Sequence, residues 1–508
     1  MPGDVVDTAR AARRLVRRFS PHNPQDRSVI VEALVVCIAS LVPQDPAAAL
    51  AELRADPALD GARVGVFVRD LADDRVVVEH DSDYGFMTAS NLKLVSIAVA
   101  LATLGAEFRF RTSLVATGPV RDGVLSGDLV LVGSGDPTFG GRQEGDDPRA
   151  VFQRLVATAV LENGLRRVTG DVLGDDDFQP DEVMGDGWSW NYEGDDYAAQ
   201  VSGLCFAENC VRVTLTPSAP GSAPRVALSP PSSYLETVSD ALCVEGNARA
   251  RPWARRERAR NRIRIGGSMA SDAKPWSEKL SVENPTAFAA TVLLETLRAQ
   301  GVEVAGIAAD RDERPERPER YGDETILAVH ESAPLREVLV TLGKVSQNLY
   351  AEQVLRAAAP GDHGMSAAAA HAKVVLQRFG VDPRGMRIAD GSGLSRLDLV
   401  RPRQLGELLT GIWRSDLRAD VVRTLPIAGV DGTLASRFRG TPAERRVVAK
   451  TGNISAVTAL SGYVPRADDA EHPLVFVVLL NDFTCSTDDA KAALDRFIVA
   501  LVGSADRR

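Results

Sequence analysis

The chain has 508 residues, 44% hydrophobic and 25% charged, which suits about three structural units and excludes a disordered chain or a disulfide-dense miniprotein. Lys and Arg number 59 against 69 Asp and Glu, and the formal net charge of −10 argues against nucleic acid as a partner. Only seven of the basic residues are lysines, so a pattern that demands Lys is hard to meet by accident.

In the amino-terminal segment, residues 1–55, Arg13, Arg14, Arg17 and Arg18 precede an apolar stretch from Ala33 to Val42. That order suits a degenerate export signal. Glu32 and the lack of a small-x-small site before Pro43 suit a core-packing helix over 29–42, and both readings stay open. The stretch is shorter than the roughly 20 apolar residues that span a bilayer, so no transmembrane helix is expected.

Val64, Val66 and Val68, a turn at Leu71-Ala72-Asp73-Asp74, and Val76-Val77-Val78 predict a β-hairpin. Ser90 then sits at the N-cap or first turn of a helix whose Leu94, Ile97, Ala98, Leu101 and Leu104 form a buried stripe. From 113 to 280 the texture changes to short β-like runs (129–132, 211–215, 263–265) between Gly, Pro and acidic turns, which marks a separate β-rich unit. Its basic run from Arg251 to Arg264 reads as a solvated β-hairpin rather than a contact for an anionic polymer.

Asn284-Pro285 opens a helix that ends near Gly301, and Arg311 to Arg320, with two prolines and no apolar residue, reads as a solvated loop. Helices are predicted over 334–358, 366–379 and 402–414. Strands over 447–451, 457–464 and 474–480 are spaced as an antiparallel meander, the last apolar enough to be central. The five cysteines show no CxxC and the six histidines no ligand spacing, so no metal or other cofactor is expected. One bridge among Cys205, Cys210 and Cys243 would suit an exported protein, with the pair left open.

Three short patterns carry the chemistry, in this order: Ser90-Asn91-Leu92-Lys93, Ser346-Gln347-Asn348 and Lys450-Thr451-Gly452. A Ser and a Lys three apart on a helix share a face, so a neutral amine can take the hydroxyl proton as the oxygen attacks a carbonyl. Burial and a second cation such as Lys450 would favour the neutral amine. The sequence holds its own controls. Ser271-Asp272-Ala273-Lys274 repeats the first pattern, but Pro275 disfavours helical geometry at Lys274; Ser189-Trp190-Asn191 repeats the second inside a Trp-rich acidic loop. No G-x-S-x-G elbow occurs, which disfavours a Ser-His-Asp hydrolase, and His363 reads as a loop residue.

The ordered set resembles the penicillin-recognising serine acyltransferases, and among them the class C low-molecular-mass penicillin-binding proteins, the D-alanyl-D-alanine carboxypeptidase/endopeptidase family. The likeness runs from about residue 60 and rests also on Gly133-Ser134-Gly135-Asp136-Pro137, Gly170-Asp171-Val172-Leu173, Gly187-Trp188-Ser189-Trp190-Asn191, Asp390-Gly391-Ser392-Gly393-Leu394-Ser395 and Asp431-Gly432-Thr433-Leu434. It implies an α+β fold, a β-lactamase-like acyltransferase domain of antiparallel sheet and flanking helices, split over 56–112 and 281–508 around a β-rich insertion at 113–280.

The resemblance further implies Ser90 as nucleophile, Lys93 as its base and Ser346 as proton relay to the leaving amine. It gives Asn348 to the acyl-side amide, and Lys450 and Thr451 to the substrate's terminal carboxylate. The oxyanion falls to the backbone N–H groups of Ser90 and Asn453, next to Gly452. Asn453 stands where Thr or Ser is common, which leaves its backbone donor as the implied contribution. Asp175 would meet the substrate's side-chain amine. The expected substrate is the peptidoglycan stem peptide, with β-lactams as covalent inhibitors and an extracytoplasmic location. The rivals are a β-lactam or ester hydrolase on the same residues and a catalytically silent wall-binding scaffold.

Overall fold

The structure is a computed structural model that describes residues 45–145, 147–246, 251–314 and 326–506. The expected helix or export signal at 29–42, and most of the predicted loop 311–320, lie outside these residues. The fold is α+β, and chain contacts divide it into two compact units. Among the described residues, one holds 45–86 together with 401–410 and 426–506; the other holds those within 87–400 and 411–425, so the described part of the expected insertion 113–280 falls inside the second.

The first unit is built on a five-stranded antiparallel sheet in the order Val448–Ile454, Val457–Val464, Leu474–Asn481, Arg63–Asp70, Val76–His80. The predicted hairpin and meander are both present. Leu474–Asn481 lies at the centre, and every residue of it and of Val457–Val464 is buried. A strand covered on both faces has no polar face to alternate with, hence its continuous apolar run. Leu50, Leu53, Phe497, Ile498 and Leu501 of the helices Pro46–Arg54 and Thr487–Ala505 join Val66, Val68, Phe476 and Val478 in one core. Gly406 is required by closeness: a Cβ there would lie 2.2 Å from the Phe67 ring.

In the second unit the helices Lys93–Leu104, Leu335–Val345, Asn348–Ala357 and Met365–Gln377 pack on one another. Lys93 through Leu101 are all buried, as a helix apolar nearly all round must be. The unit also holds a five-stranded sheet containing Leu129–Val132 and Val172–Asp175, a three-stranded sheet centred on Cys210–Thr216, and a four-stranded sheet built on Arg262–Ala270, which share an apolar core of their own. The helices Ala150–Asn163 and Pro285–Ala299 complete that apolar core with Phe152, Leu155, Phe288 and Leu293.

Several expectations are corrected. The predicted helix 334–358 is two helices, broken where Ser346 takes a left-handed conformation (φ +61°) and Gln347 caps the next helix by accepting Leu349 N–H at 2.8 Å. Cys205, Cys210 and Cys243 are buried free thiols, not a bridge. The basic run does form a hairpin, Pro252–Arg256 against Arg262–Ala270, but Arg256 is buried and pairs with Glu283 rather than being solvated. Arg311, at the head of the presumed loop, is likewise buried, against Asp175.

Candidate active site

Ser90 lies in a single helical turn, Ala89–Leu92, that leads into the helix Lys93–Leu104, and the turn is entered through a left-handed Ala89 (φ +44°). The three-residue offset brings the Lys93 amine to 2.8 Å from Ser90 Oγ. Lys93 Nζ has two further partners, Asn348 Oδ1 at 2.6 Å and the Ser392 carbonyl at 2.7 Å. The orientation of Asn348 is fixed from both ends, because its Nδ2 donates to the Tyr197 carbonyl at 2.7 Å. The first two sequence motifs are thus joined through Lys93, with Ser346 two residues from Asn348 in the bend between helices.

This geometry decides what Lys93 can do. Asn348 Oδ1 and Ser392 O can only accept, whereas a serine hydroxyl can donate. A neutral amine has two N–H groups and one lone pair. With both N–H groups given to the two carbonyls, the lone pair is left for Ser90 Oγ–H. Burial pushes the Lys93 amine down from 10.5 to about 7, against the opposing pull of Asp390, Glu352 and Asp398. An ordinary lysine would be neutral in about one molecule in a few thousand at pH 7; here a large fraction is.

The loop that supplies the Ser392 carbonyl is built around Asp390. Its Oδ1 accepts from Ser392 N and Gly393 N, and its Oδ2 from Ser395 N at 2.7 Å and Trp188 Nε1 at 2.8 Å. Glu352, from the helix of the second motif, accepts Gly391 N–H on both oxygens, at 3.0 and 2.9 Å. Two glycines permit the approach. A Cβ on Gly393 (φ +79°) would fall 1.8 Å from the Ala89 carbonyl, and one on Gly391 would fall 2.6 Å from that of Ala351. Glu352, Asp390 and Asp398 are fully buried, and burial raises the first and last above the usual carboxylate range. The resemblance rests in part on Asp390-Gly391-Ser392-Gly393 and on the stretch from Ser346 to Glu352, but sequence reasoning assigned these acids and the Ser392 carbonyl no role and did not point to Asp398 or the Tyr197 carbonyl.

Lys450, Thr451, Gly452 and Asn453 belong to the first unit, on the edge strand Val448–Ile454. Lys450 is fully buried with Nζ 2.9 Å from the Thr451 carbonyl, Thr451 Oγ1 lies 2.7 Å from Thr433 Oγ1, and Asn453 is exposed. Asp175 is buried in an ion pair with Arg311, so a substrate amine would have to compete with a guanidinium for it. His363 stacks on Phe178 with ring centroids 4.1 Å apart. Among the described residues, carboxylate oxygens of Asp176, Asp310 and Asp312 lie within 4.8 Å of one another. Asp176 already accepts from Ser202 and Thr286, and Asp310 from Asn284 and the Asp312 N–H, which suits a hydrogen-bonded acid cluster. No described helix is long and apolar enough to cross a membrane.

A family model, D-Ala-D-Ala carboxypeptidase 3 (S13), matches residues 46–501. The D-alanyl-D-alanine carboxypeptidase of Actinomadura sp. (strain R39) is 35% identical over 447 residues, 84% of this chain and 79% of that protein. The D-alanyl-D-alanine carboxypeptidase DacB of Haemophilus influenzae is 27% identical over 454 residues, 86% of this chain and 88% of the relative. The crystal structure of penicillin binding protein 4 (dacB) from Haemophilus influenzae superposes with a TM-score of 0.75 at 25% identity, covering 89% of this chain and 98% of that one.

Proposed function

Because the chain belongs to the D-Ala-D-Ala carboxypeptidase 3 (S13) family, we propose that it works as a serine D-Ala-D-Ala carboxypeptidase through an acyl-enzyme on Ser90. The observation that carries the assignment is the Lys93 amine, buried, poised near neutrality and 2.8 Å from Ser90 Oγ. Ser90 Oγ attacks the carbonyl of the penultimate D-Ala and its proton passes to Lys93. The tetrahedral oxyanion is met by the backbone N–H groups of Ser90 and Asn453, donors of the kind that usually contribute most to such catalysis. As the C–N bond breaks, a proton delivered by way of Ser346 neutralises the leaving D-Ala amine. Water then attacks the ester, with Lys93 again as base, and frees the shortened peptide.

The substrate under this reading is the peptidoglycan stem peptide, and a side-chain amine of a cross-link can replace the terminal D-Ala as leaving group, which gives endopeptidase action. A β-lactam acylates the same oxygen, but its amine stays tethered after ring opening. Slow release of that adduct separates a peptidase from a β-lactam hydrolase, and absence of any adduct would leave the wall-binding scaffold. Since the substrate lies beyond the cytoplasmic membrane, the enzyme is placed outside it. Cell fractionation should recover the active protein from the envelope or periplasmic fraction; recovery of active full-length protein only from cytoplasm would refute this.

Lys450 and Thr451 are assigned to the substrate's terminal carboxylate. Lys450→Arg keeps the charge on a larger planar group, whereas Lys450→Met removes it at similar length. Turnover of a D-Ala-D-Ala peptide should fall by about 10²-fold or more in Lys450→Met and less in Lys450→Arg. A neutral ester substrate, which has no carboxylate to bind, should be spared in both. Wild-type turnover of the peptide by Lys450→Met would remove Lys450 from the site.

A further inference from the structure

Gln347, the middle residue of the second motif, takes no part in the chemistry above, yet its side chain is engaged at both ends. Its Oε1 accepts the Leu349 N–H and so caps the helix that begins at Asn348. Its Nε2 donates to Glu208 Oε2 at 3.2 Å. Glu208 is 1% exposed, which for a carboxylate demands partners. It has them in Arg142, with Nε 2.7 Å from Oε1, in Lys279, and in the Tyr350 hydroxyl at 3.4 Å.

The backbone that presents Glu208 is unusual in its own right. Ala207, Glu208 and Asn209 have φ of +53°, +58° and +53°, three successive non-glycine residues in the left-handed region. Such a run persists only where its surroundings over-determine it. Here Ala207 N–H donates to the Phe139 carbonyl, Asn209 Oδ1 accepts the Phe206 N–H, and Asn209 Nδ2 donates to the Gln200 carbonyl. The fold therefore sustains a strained turn and a buried charge in the same place. Neutralising Arg142 alone would not need it, since that side chain is half exposed and could be left to water.

We propose that Glu208 is a positioning residue for the acyl-transfer site, fixing through Gln347 the bend that sets Ser346 and Asn348. The inference rests on the assignment of Ser346 and Asn348 to catalysis. Ser346 is left-handed and Gln347 extended, so two consecutive residues in this bend depart from helical geometry, and the Gln347 side chain ties it to the turn 207–209. Asn348 in turn holds Lys93. A shift of the bend would thus reach both the proton relay and the base.

The test exchanges the two ends of the link. Gln347→Glu keeps the helix cap but sets a carboxylate against Glu208, and Gln347→Asn keeps a neutral cap that is too short to reach it. The double variant Glu208→Gln with Gln347→Glu restores the bond with donor and acceptor reversed and keeps a single carboxylate in the cluster, now carried by residue 347. Rates on a D-Ala-D-Ala peptide are expressed per site titrated by prolonged incubation with fluorescent penicillin, so that loss of folded protein does not count. We expect kcat to fall about tenfold in Gln347→Glu, severalfold in Gln347→Asn, and to return to within about threefold of wild type in the exchanged double variant. Wild-type kcat in Gln347→Asn, or a double variant no faster than Gln347→Glu, would overturn the inference while leaving the peptidase reading intact. A wild-type protein with no titratable site would instead overturn the reading on which it rests.

Discussion

Ser90→Ala is expected to lower D-Ala-D-Ala peptidase turnover by at least about 10⁴-fold, because nucleophile and base act as a unit and the loss of either removes the covalent route. The fold should not notice. Ser90 is half-buried in a turn whose conformation is set by Ala89 and by the close approach of Gly393, neither of which needs the hydroxyl. A change in Tm of no more than about 2 °C is therefore expected. Turnover retained in the variant would move the nucleophile elsewhere, and Ser271 would be the first alternative. Its surroundings already speak against it: Ser271 follows the strand Arg262–Ala270, with its N–H bonded to the Val244 carbonyl and no helix to align Lys274.

Replacing the base tests the other half of the pair, and Lys93→Met should slow acylation by about 10²–10⁴-fold, the range over which a positioned general base acts. Stability should fall by about 1–3 kcal/mol, since the Asn348 and Ser392 carbonyls lose the N–H groups that satisfy them. The pH dependence carries the sharper test. Acylation needs the neutral amine, and burial sets that amine near 7. In the wild type the rate should therefore fall about tenfold for each pH unit below 7 and level off above it. Lys93→Met should lack that limb.

Glu352→Gln gives the sign of the local field. The Glu352 carboxylate favours the charged form of Lys93, so its removal should keep the amine neutral to lower pH and move the acid limb downward. The Gly391 N–H can still bond to the amide oxygen, which preserves the loop. A limb that stays in place or moves upward would show that Glu352 does not tune Lys93.

How much of this was legible from sequence depended on whether the cause was local. The hairpin 63–80 and the strands of the meander declare themselves by alternation or by a continuous apolar run, and each pairs as expected. The motif at Ser90 and Lys93 was legible because three residues of separation place both side chains on one face whether the turn is tight or regular. The break at Ser346 was not, because the apolar spacing of Leu335, Val338, Leu339 and Leu342 on one side and Val354 and Leu355 on the other reads as one long helix. It coincides with a tertiary contact that local spacing does not reveal, the Gln347 side chain bonded to Glu208 in a distant turn.

The same holds for the acids around Lys93. Asp390 stands in a recognisable motif, but nothing in the sequence marks it or Glu352 as buried, and only the fold brings the two together in the interior. Gly391 and Gly393 are explained by backbone approach to Ala351 and Ala89, contacts made with residues 40 and 304 positions away. Arg311 and Arg256 repeat the lesson with opposite sign. Both stand in charge-rich stretches that suggest solvent, and both are buried against carboxylates contributed by other segments.

If the Ser90 oxygen forms the covalent intermediate, the mass of the penicillin-treated protein should rise by one intact penicillin, mapped by peptide fragmentation to Ser90 and lost in Ser90→Ala. An adduct mapped to any other residue, or no adduct at all on folded protein, would contradict it.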